Sequence, residues 1–144
     1  MHQFHTLKIK EVKKETPSAV SLLFDVPSNL ASLFHFTTGQ YVTLKTSIDG
    51  TEVRRAYSIC SSEKSGDLRV AVKTIPEGLF SNFAFSTLEA GAVLDVSPPE
   101  GNFLLKTATN QSKNYLAFAA GSGITPVFSM VKTVLESEPK SSFT

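Results

Sequence analysis

Arg54, Arg55, Tyr57 and Ser58 stand together in "TEVRRAYSICSS" (51–62), the most strand-like stretch of the chain. On a strand, Arg55 and Tyr57 share one face, while Arg54, Ala56 and Ser58 share the other. A guanidinium on a half-buried strand is costly without a fixed partner. Its planar fork of donors matches phosphate oxygens. A tyrosine ring two residues along offers a flat surface with a polar tip. The Ser58 hydroxyl, at a strand end, could reach a heteroaromatic nitrogen. Phosphate beside a flat ring is the outline of a flavin nucleotide. The competing expectation is an ion pair between Arg54 or Arg55 and a carboxylate such as Glu52.

A second group lies in "VKTIPEGLFSNF" (72–83), where Gly78 precedes a short apolar helix and Ser81 falls in its first turn. Free amide N–H groups with a hydroxyl beside them make an anion site; a plain turn and cap is the other meaning of such a glycine. A fork-donor strand and a helix N-terminus could clamp one pyrophosphate from two sides. The third group is "AAGSGITP" (119–126). Gly121 and Gly123 suit a dinucleotide loop, but Pro126 stands where the third glycine of G-x-G-x-x-G would be. A strand feeding a helix through small residues still suits a nucleotide or nicotinamide lying across the loop. His2, His5, His35 and Cys60 have no metal-ligand spacing, so no metal site is expected. Cys60 reads as a small buried hydrophobe and Lys13-Lys14 as solvated surface.

The elements that must position these groups are mostly short strands. "FHTLKIKEVKKET", "AVSLLFDV", "GQYVTLKTSI", "EVRRAYSIC", "LRVAVKTI" and "AVLDVS" are separated by turn signals, with Asp49-Gly50 the strongest hairpin signal. Such spacing predicts an antiparallel barrel or sandwich. "GLFSNFAFSTLEAG" (78–91) predicts a short capping helix that buries Leu79, Phe80, Phe83 and Leu88 and ends at Gly91. After the polar loop "KTATNQSKN" the pattern changes. Leu116 to Ala120 read as a parallel strand buried on both faces. Thr125 is expected to cap a helix that starts at Pro126 and buries Val127, Met130, Val131, Val134 and Leu135. This is the opening strand-loop-helix of an α/β domain, with "SSFT" about where the next strand would begin. The expected division is a β-barrel over 1–107 and the start of a nucleotide-binding domain, only partly represented, over 108–144.

Composition narrows the classes. The 144 residues are 41% hydrophobic and 19% charged, ordinary for a globular chain. Fourteen basic against thirteen acidic residues leave a net charge of +1, which gives no broad basic field for nucleic acid or membrane. No apolar run reaches membrane-span length and the start "MHQFHTLKIK" lacks a signal-peptide core. A single cysteine excludes an internal disulfide, so the cytoplasm is the expected compartment.

In order and spacing, the three groups resemble the ferredoxin–NADP(+) reductase family. "RAYS" (55–58) is similar to its R-x-Y-[ST] flavin motif, "GLFS" (78–81) to its G-x-x-S pyrophosphate motif, and "GSGITP" (121–126) to its nicotinamide-side motif. "PPEGNF" (98–103) looks like the loop closing the flavin domain, and the surrounding wording resembles the oxygenase-reductase branch. The resemblance implies a six-stranded antiparallel Greek-key barrel with a capping helix, binding FAD. It assigns Arg55 to the pyrophosphate, Tyr57 to the isoalloxazine, Ser58 to the region of flavin N5, and Ala56 to the same motif. Tyr57 and Ser58 thereby become the catalytic candidates. Main-chain groups of Val72, Lys73 and Thr74 would line the ring or ribityl chain, and Gly78, Leu79, Phe80 and Ser81 the phosphate. Gly121, Ser122, Gly123, Ile124, Thr125 and Pro126 would place the nicotinamide, with Thr125 also approaching the flavin. The implied chemistry is hydride transfer from NAD(P)H to FAD, then single-electron delivery to a ferredoxin-type domain or oxygenase component. Any [2Fe–2S] centre would lie in a domain absent from this chain, and with the nucleotide-binding domain only partly represented the chain alone is expected to be reduced by NAD(P)H only slowly. The alternative reading is a non-catalytic barrel of the same fold, acting as a binding or docking module.

Overall fold

Alternating apolar residues build the sheet. The structure, a computed structural model, describes residues 3–144, so the reading of His2 lies outside the described residues. Six strands form one antiparallel sheet: β1 (His5–Thr16), β2 (Ala19–Asp25), β3 (Tyr41–Ile48), β4 (Thr51–Ser58), β5 (Leu68–Lys73) and β6 (Val93–Val96). Their spatial order is β4-β3-β6-β1-β2-β5. The ends are joined by the Ile59↔Val70 bridge and by the Cys60 amide donating to the Arg69 carbonyl (2.9 Å), which closes a barrel. With β3, β4 and β5 as consecutive neighbours and β6 returning beside β3, the topology is a Greek key.

Inward residues of every strand meet in one core: Leu7 and Ile9, Val20 and Leu22, Val42 and Leu44, Val53, Val70 and Val72, Leu94 and Val96. The apolar pattern of β1 changes parity between Ile9 and Val12 because a β-bulge interrupts its register between Ile9 and Glu11. The β3–β4 hairpin turns on Asp49 (φ 49°) and Gly50 (φ 78°), the two positive values of a type I′ turn. Helix α1 (Leu79–Ser86) lies against the barrel through Phe80 and Ala84, with Phe83 and Leu88 partly buried. It stops at Ser86 rather than at Gly91, and Leu79 is exposed rather than buried. The first turn of so short a helix presents Leu79 away from the Phe80 face.

The remaining residues form a small parallel unit. Strand β7 (Asn114–Tyr115), helix α2 (Ile124–Ser137) and β8 (Ser142–Phe143) make a βαβ crossover, with Tyr115 opposite Phe143 and their rings stacked at 5.6 Å. The expected strand over Leu116–Ala120 is corrected: only Asn114 and Tyr115 pair, while Leu116 is 66% and Phe118 90% exposed. A strand buried on both faces needs neighbours on each side, and among the described residues β8 alone pairs with β7.

Two features of α2 are also corrected. It begins at Ile124, with Gly123 as its cap residue, and Thr125 lies inside its first turn with Oγ1 donating to the Ser122 carbonyl (2.9 Å). Pro126 still fits, because a first-turn N–H has no intrahelical partner. The buried face is Pro126, Ser129, Met130, Thr133, Val134 and Ser137, whereas Val127 and Val131 are half-buried and Leu135 is 56% exposed. The helix seats small polar residues on the barrel, which an apolar count could not register.

Glu138 fastens the end of this unit. Its carboxylate accepts from the Ala108 amide (3.0 Å), the Tyr115 hydroxyl (2.9 Å) and the Ser141 hydroxyl (2.7 Å). Burial alone would raise this carboxyl, but donation from Ser141, Ala108 and Tyr115, with Lys113 nearby, holds it below the usual carboxylate range. No helix among the described residues is long and apolar enough to cross a membrane.

Two outcomes follow. Leu44→Ala, in the middle of β3 and fully buried, should lower stability to urea by about 2–5 kcal/mol, the range for a large-to-small core change. A lowered carboxyl contributes stability above its unfolded value and loses it as pH falls through its folded value. The melting temperature should therefore drop less between about pH 6 and pH 3 in Glu138→Gln than in wild type; parallel curves would show that Glu138 contributes nothing.

Candidate functional site

Beyond the Ile59↔Val70 bridge and the adjoining Cys60–Arg69 hydrogen bond, no strand pairing joins β4 to β5 toward the β3–β4 hairpin. The sheet therefore parts beside Tyr57, Ser58 and Val72–Thr74, leaving an open edge at which the first two motifs face each other. Arg54 and Arg55 separate cleanly there. Arg54 is held by Glu52 (Nη2–Oε1 2.7 Å and Nε–Oε1 2.8 Å), with the Phe4 ring 5.3 Å from its guanidinium. The ion pair expected for one of the two arginines thus belongs to Arg54, along its own strand. Arg55 has no carboxylate partner among the described residues; its Nη1 donates to the Arg54 carbonyl (2.7 Å) and the fork is otherwise exposed.

Tyr57, two residues along on the same face, is half-buried. Its ring packs on Phe80 of α1 with centroids 5.6 Å apart. That contact joins the β4 motif to the helix N-terminus. Burial pushes the Tyr57 phenol above its ordinary value, and the nearby Arg55 charge pulls partly back, so the phenol stays protonated at neutral pH. Ala56 is exposed, and Ser58, the last residue of β4, is half-buried opposite Tyr41.

Across the gap, the Val72 side chain is in the core and Lys73 is exposed. Thr74 is already committed: its amide (2.8 Å) and hydroxyl (3.1 Å) both donate to the Ser18 carbonyl. Of the three expected main-chain contributors, Thr74 has thus spent its N–H. Gly78 caps α1 without a side-chain hydrogen bond, and no acidic residue occupies the first turn. The amides of Leu79, Phe80 and Ser81 precede the first intrahelical bond, Asn82 to Gly78. A Cβ at position 78 would fall 2.3 Å from Ser81 Oγ and 2.5 Å from Ile75 Cγ1, so only glycine lets the loop fold this tightly. The Ser81 hydroxyl is buried and internal, donating to the Gly78 carbonyl (3.3 Å) and accepting from the Ile75 amide (3.4 Å). It shapes the loop.

The third motif arrives from the other side. Gly121, Ser122, Gly123 and Ile124 are exposed, Pro126 is buried, and Thr125 is half-buried. Thr125 lines a cavity of about 590 Å³ that Cys60 and Ala71 also line, residues on either side of the Ile59↔Val70 bridge. Arg69 and Lys132 also face it. Burial pushes the Cys60 thiol up, and the thiol donates to the Arg69 carbonyl (3.4 Å), which leaves it an inert wall group. Arg69 is held by Glu11 (3.2 Å) and Ser21 (2.8 Å). Sequence reasoning missed Arg69, Ser21 and Lys132 because nothing local marks them; the fold alone assembles them from three elements. Among the described residues no group of three or more His, Cys, Asp or Glu is placed to hold a metal ion.

The residues present fit a flavin dinucleotide. A guanidinium with no carboxylate partner, a ring beside an open sheet edge, and a glycine-capped helix start with free amides are what a pyrophosphate joined to a flat ring requires.

Comparison with known proteins agrees. The family described as an oxidoreductase FAD-binding domain matches residues 6–104. The chain is 44% identical over its full length to one component of the 1,2-phenylacetyl-CoA epoxidase of Escherichia coli, covering 40% of that protein. It is 38% identical, over 90% of the chain and 36% of the relative, to the ferredoxin reductase component of 3-ketosteroid-9-alpha-monooxygenase from Rhodococcus rhodochrous. Phthalate dioxygenase reductase, described as a modular structure for electron transfer from pyridine nucleotides to [2Fe-2S], superposes with a TM-score of 0.75 at 29% identity, over 97% of this chain and 42% of its own. The chain thus spans about two fifths of the length of these curated relatives. Barrel topology, matched residues and whole-chain identity converge, and the chain belongs to the oxidoreductase FAD-binding domains of the ferredoxin–NADP(+) reductase family.

Proposed function

We propose that this chain is the FAD-holding part of an NAD(P)H-dependent flavoprotein reductase that passes electrons to an oxygenase component or an iron–sulfur partner. One observation carries the reading: Arg55, with no carboxylate partner among the described residues, stands on the same strand face as Tyr57, whose ring touches Phe80 at the start of α1. In this assignment residues 1–107 hold the cofactor and 108–144 open a nucleotide-binding unit. The oxygenase-reductase relatives support the choice of acceptor, and the [2Fe-2S] acceptor of phthalate dioxygenase reductase supports an iron–sulfur partner.

Arg55 would bind the pyrophosphate from the strand side, and the amides of Leu79, Phe80 and Ser81 from the helix side. Tyr57 would cover one ring face, its neutral phenol adding no charge there, and Ser58 would offer a hydroxyl at the ring edge. Bound FAD supplies the hydride acceptor and the one-electron donor. Thr125 and the Gly121–Pro126 turn would hold the nicotinamide over the cavity wall and keep water from the reacting face.

Arg55→Ala should weaken FAD affinity by about 2–4 kcal/mol, as loss of a desolvated charged contact does. Arg54→Ala should change it little, because Arg54 is committed to Glu52. Fluorescence titration of FAD into both variants checks the pair; a larger loss in Arg54→Ala would reverse the assignment. Tyr57→Phe should bind FAD nearly as wild type does if stacking dominates, whereas Tyr57→Ala should lose affinity and shift the visible flavin band. A Phe variant as damaged as the Ala variant would transfer the role to the hydroxyl.

A further inference from the structure

Helix α2 is joined to the barrel by a row of hydrogen bonds. Ser129, Thr133 and Glu136 lie along one side of it at i, i+4 and i+7. They meet consecutive residues just beyond β4: Ser129 Oγ donates to the Ser61 carbonyl (2.6 Å), the Glu63 amide donates to Thr133 Oγ1 (3.2 Å), and Ser62 Oγ donates to Glu136 Oε2 (2.5 Å). Ser129 is fully buried and central. Since its proton goes to Ser61, the Thr38 hydroxyl, 2.7 Å away and also fully buried, must donate to it. One side chain thereby ties α2 both to the segment leaving β4 and to the loop entering β3. The approach is close: a Cβ on Gly39 would fall 1.7 Å from the Phe103 carbonyl oxygen and 2.8 Å from Met130 Cε.

Thr125 is one helical turn before Ser129, and Ser58 is three residues before Ser61. The Ser129 bonds thus lie one helical turn from Thr125 and next to Cys60, both of which line the cavity, and they tie the two sides to each other. We propose that Ser129, oriented by Thr38, is a positioning residue for the reductase reaction: it fixes the first turn of α2, and with it Thr125, at a set distance from the parted ends of β4 and β5. This rests on the reductase reading above. Hydride transfer demands reacting atoms about 3–3.5 Å apart, and a displacement of about 1 Å can cost on the order of 100-fold in rate. Hydrogen bonds fix such a spacing more sharply than apolar contacts, because their length and direction are narrowly set.

The test uses the 144-residue chain as wild type, Ser129→Ala, Thr38→Val and Thr38→Ser. Thr38→Val keeps the shape and removes the donor; Thr38→Ser keeps the donor. Without cofactor, amide hydrogen exchange at 61–64 and 124–133 should quicken roughly fivefold in Ser129→Ala and Thr38→Val, the scale of one lost buried hydrogen bond. Exchange in β1 and β2 should be unchanged. With FAD bound, both variants should keep wild-type FAD affinity and photoreduction, yet be reduced by NADH or NADPH about tenfold more slowly or worse. Thr38→Ser should match wild type in every measurement. Unchanged exchange in Ser129→Ala overturns the proposal. So does a wild-type chain that binds FAD and is reduced by neither nicotinamide, and so does a rate loss that tracks FAD affinity. A wild-type chain that takes up no FAD instead removes the reductase reading, while the exchange data still decide whether Ser129 fixes α2.

Discussion

The whole arrangement depends on where the barrel fails to pair. β4 and β5 share the Ile59↔Val70 bridge and part on one side of it. Unpaired backbone and an inward-facing Tyr57 are exposed to a neighbour there, where a completed ladder would have sealed them. An open sheet edge is ordinarily a liability. Here α1 caps it from one side through Phe80, and α2 stands off from it across a cavity on the other. The gap therefore has two different walls. One is an aromatic and helix-start surface that suits a ring and its phosphates; the other is a small, partly polar surface around Thr125.

Different forces hold these walls. α1 is fixed by hydrophobic burial, with Phe80 and Ala84 inside the same core as Leu44 and Val72. Such contacts are strong but not directional. α2 is fixed on the barrel side by Ser129, Thr133 and Glu136, whose hydrogen bonds are directional and individually modest. Glu138 then secures the far end of α2 to the strand before it and the turn after it. The barrel supplies rigidity and the polar seam supplies placement.

Much of this was legible in the sequence, and unevenly so. The six strands follow from period-two alternation and turn residues; the β1 bulge, which moves Val12 to the other parity, is supplied by the pairing register. The division of labour between Arg54 and Arg55 was only half visible: spacing offered Glu52 to either, and strand geometry gave it to Arg54. The limits of α1 and α2 were misplaced where short helices start or stop within glycine-containing turns. The larger miss was the buried face of α2. A hydrophobicity pattern rewards Val127, Val131 and Leu135, yet the side seated on the barrel carries Ser129 and Thr133. Small hydroxyls four residues apart on an otherwise apolar helix were the available signal. The cavity wall of Ser21, Arg69 and Lys132 had none, because those residues come from separate elements and meet only in the fold.

The central claim is that the parted β4–β5 edge, with Arg55 and the start of α1, is a dinucleotide cradle. Equilibrium titration of the purified chain with FAD and, separately, with riboflavin tests it most directly, since riboflavin carries the same ring without phosphate. The account predicts saturable binding of about one FAD per chain and, by loss of the charge-assisted phosphate contacts, at least about 100-fold weaker riboflavin binding. Equal affinity for the two would contradict it, by showing that neither Arg55 nor the helix start holds a phosphate.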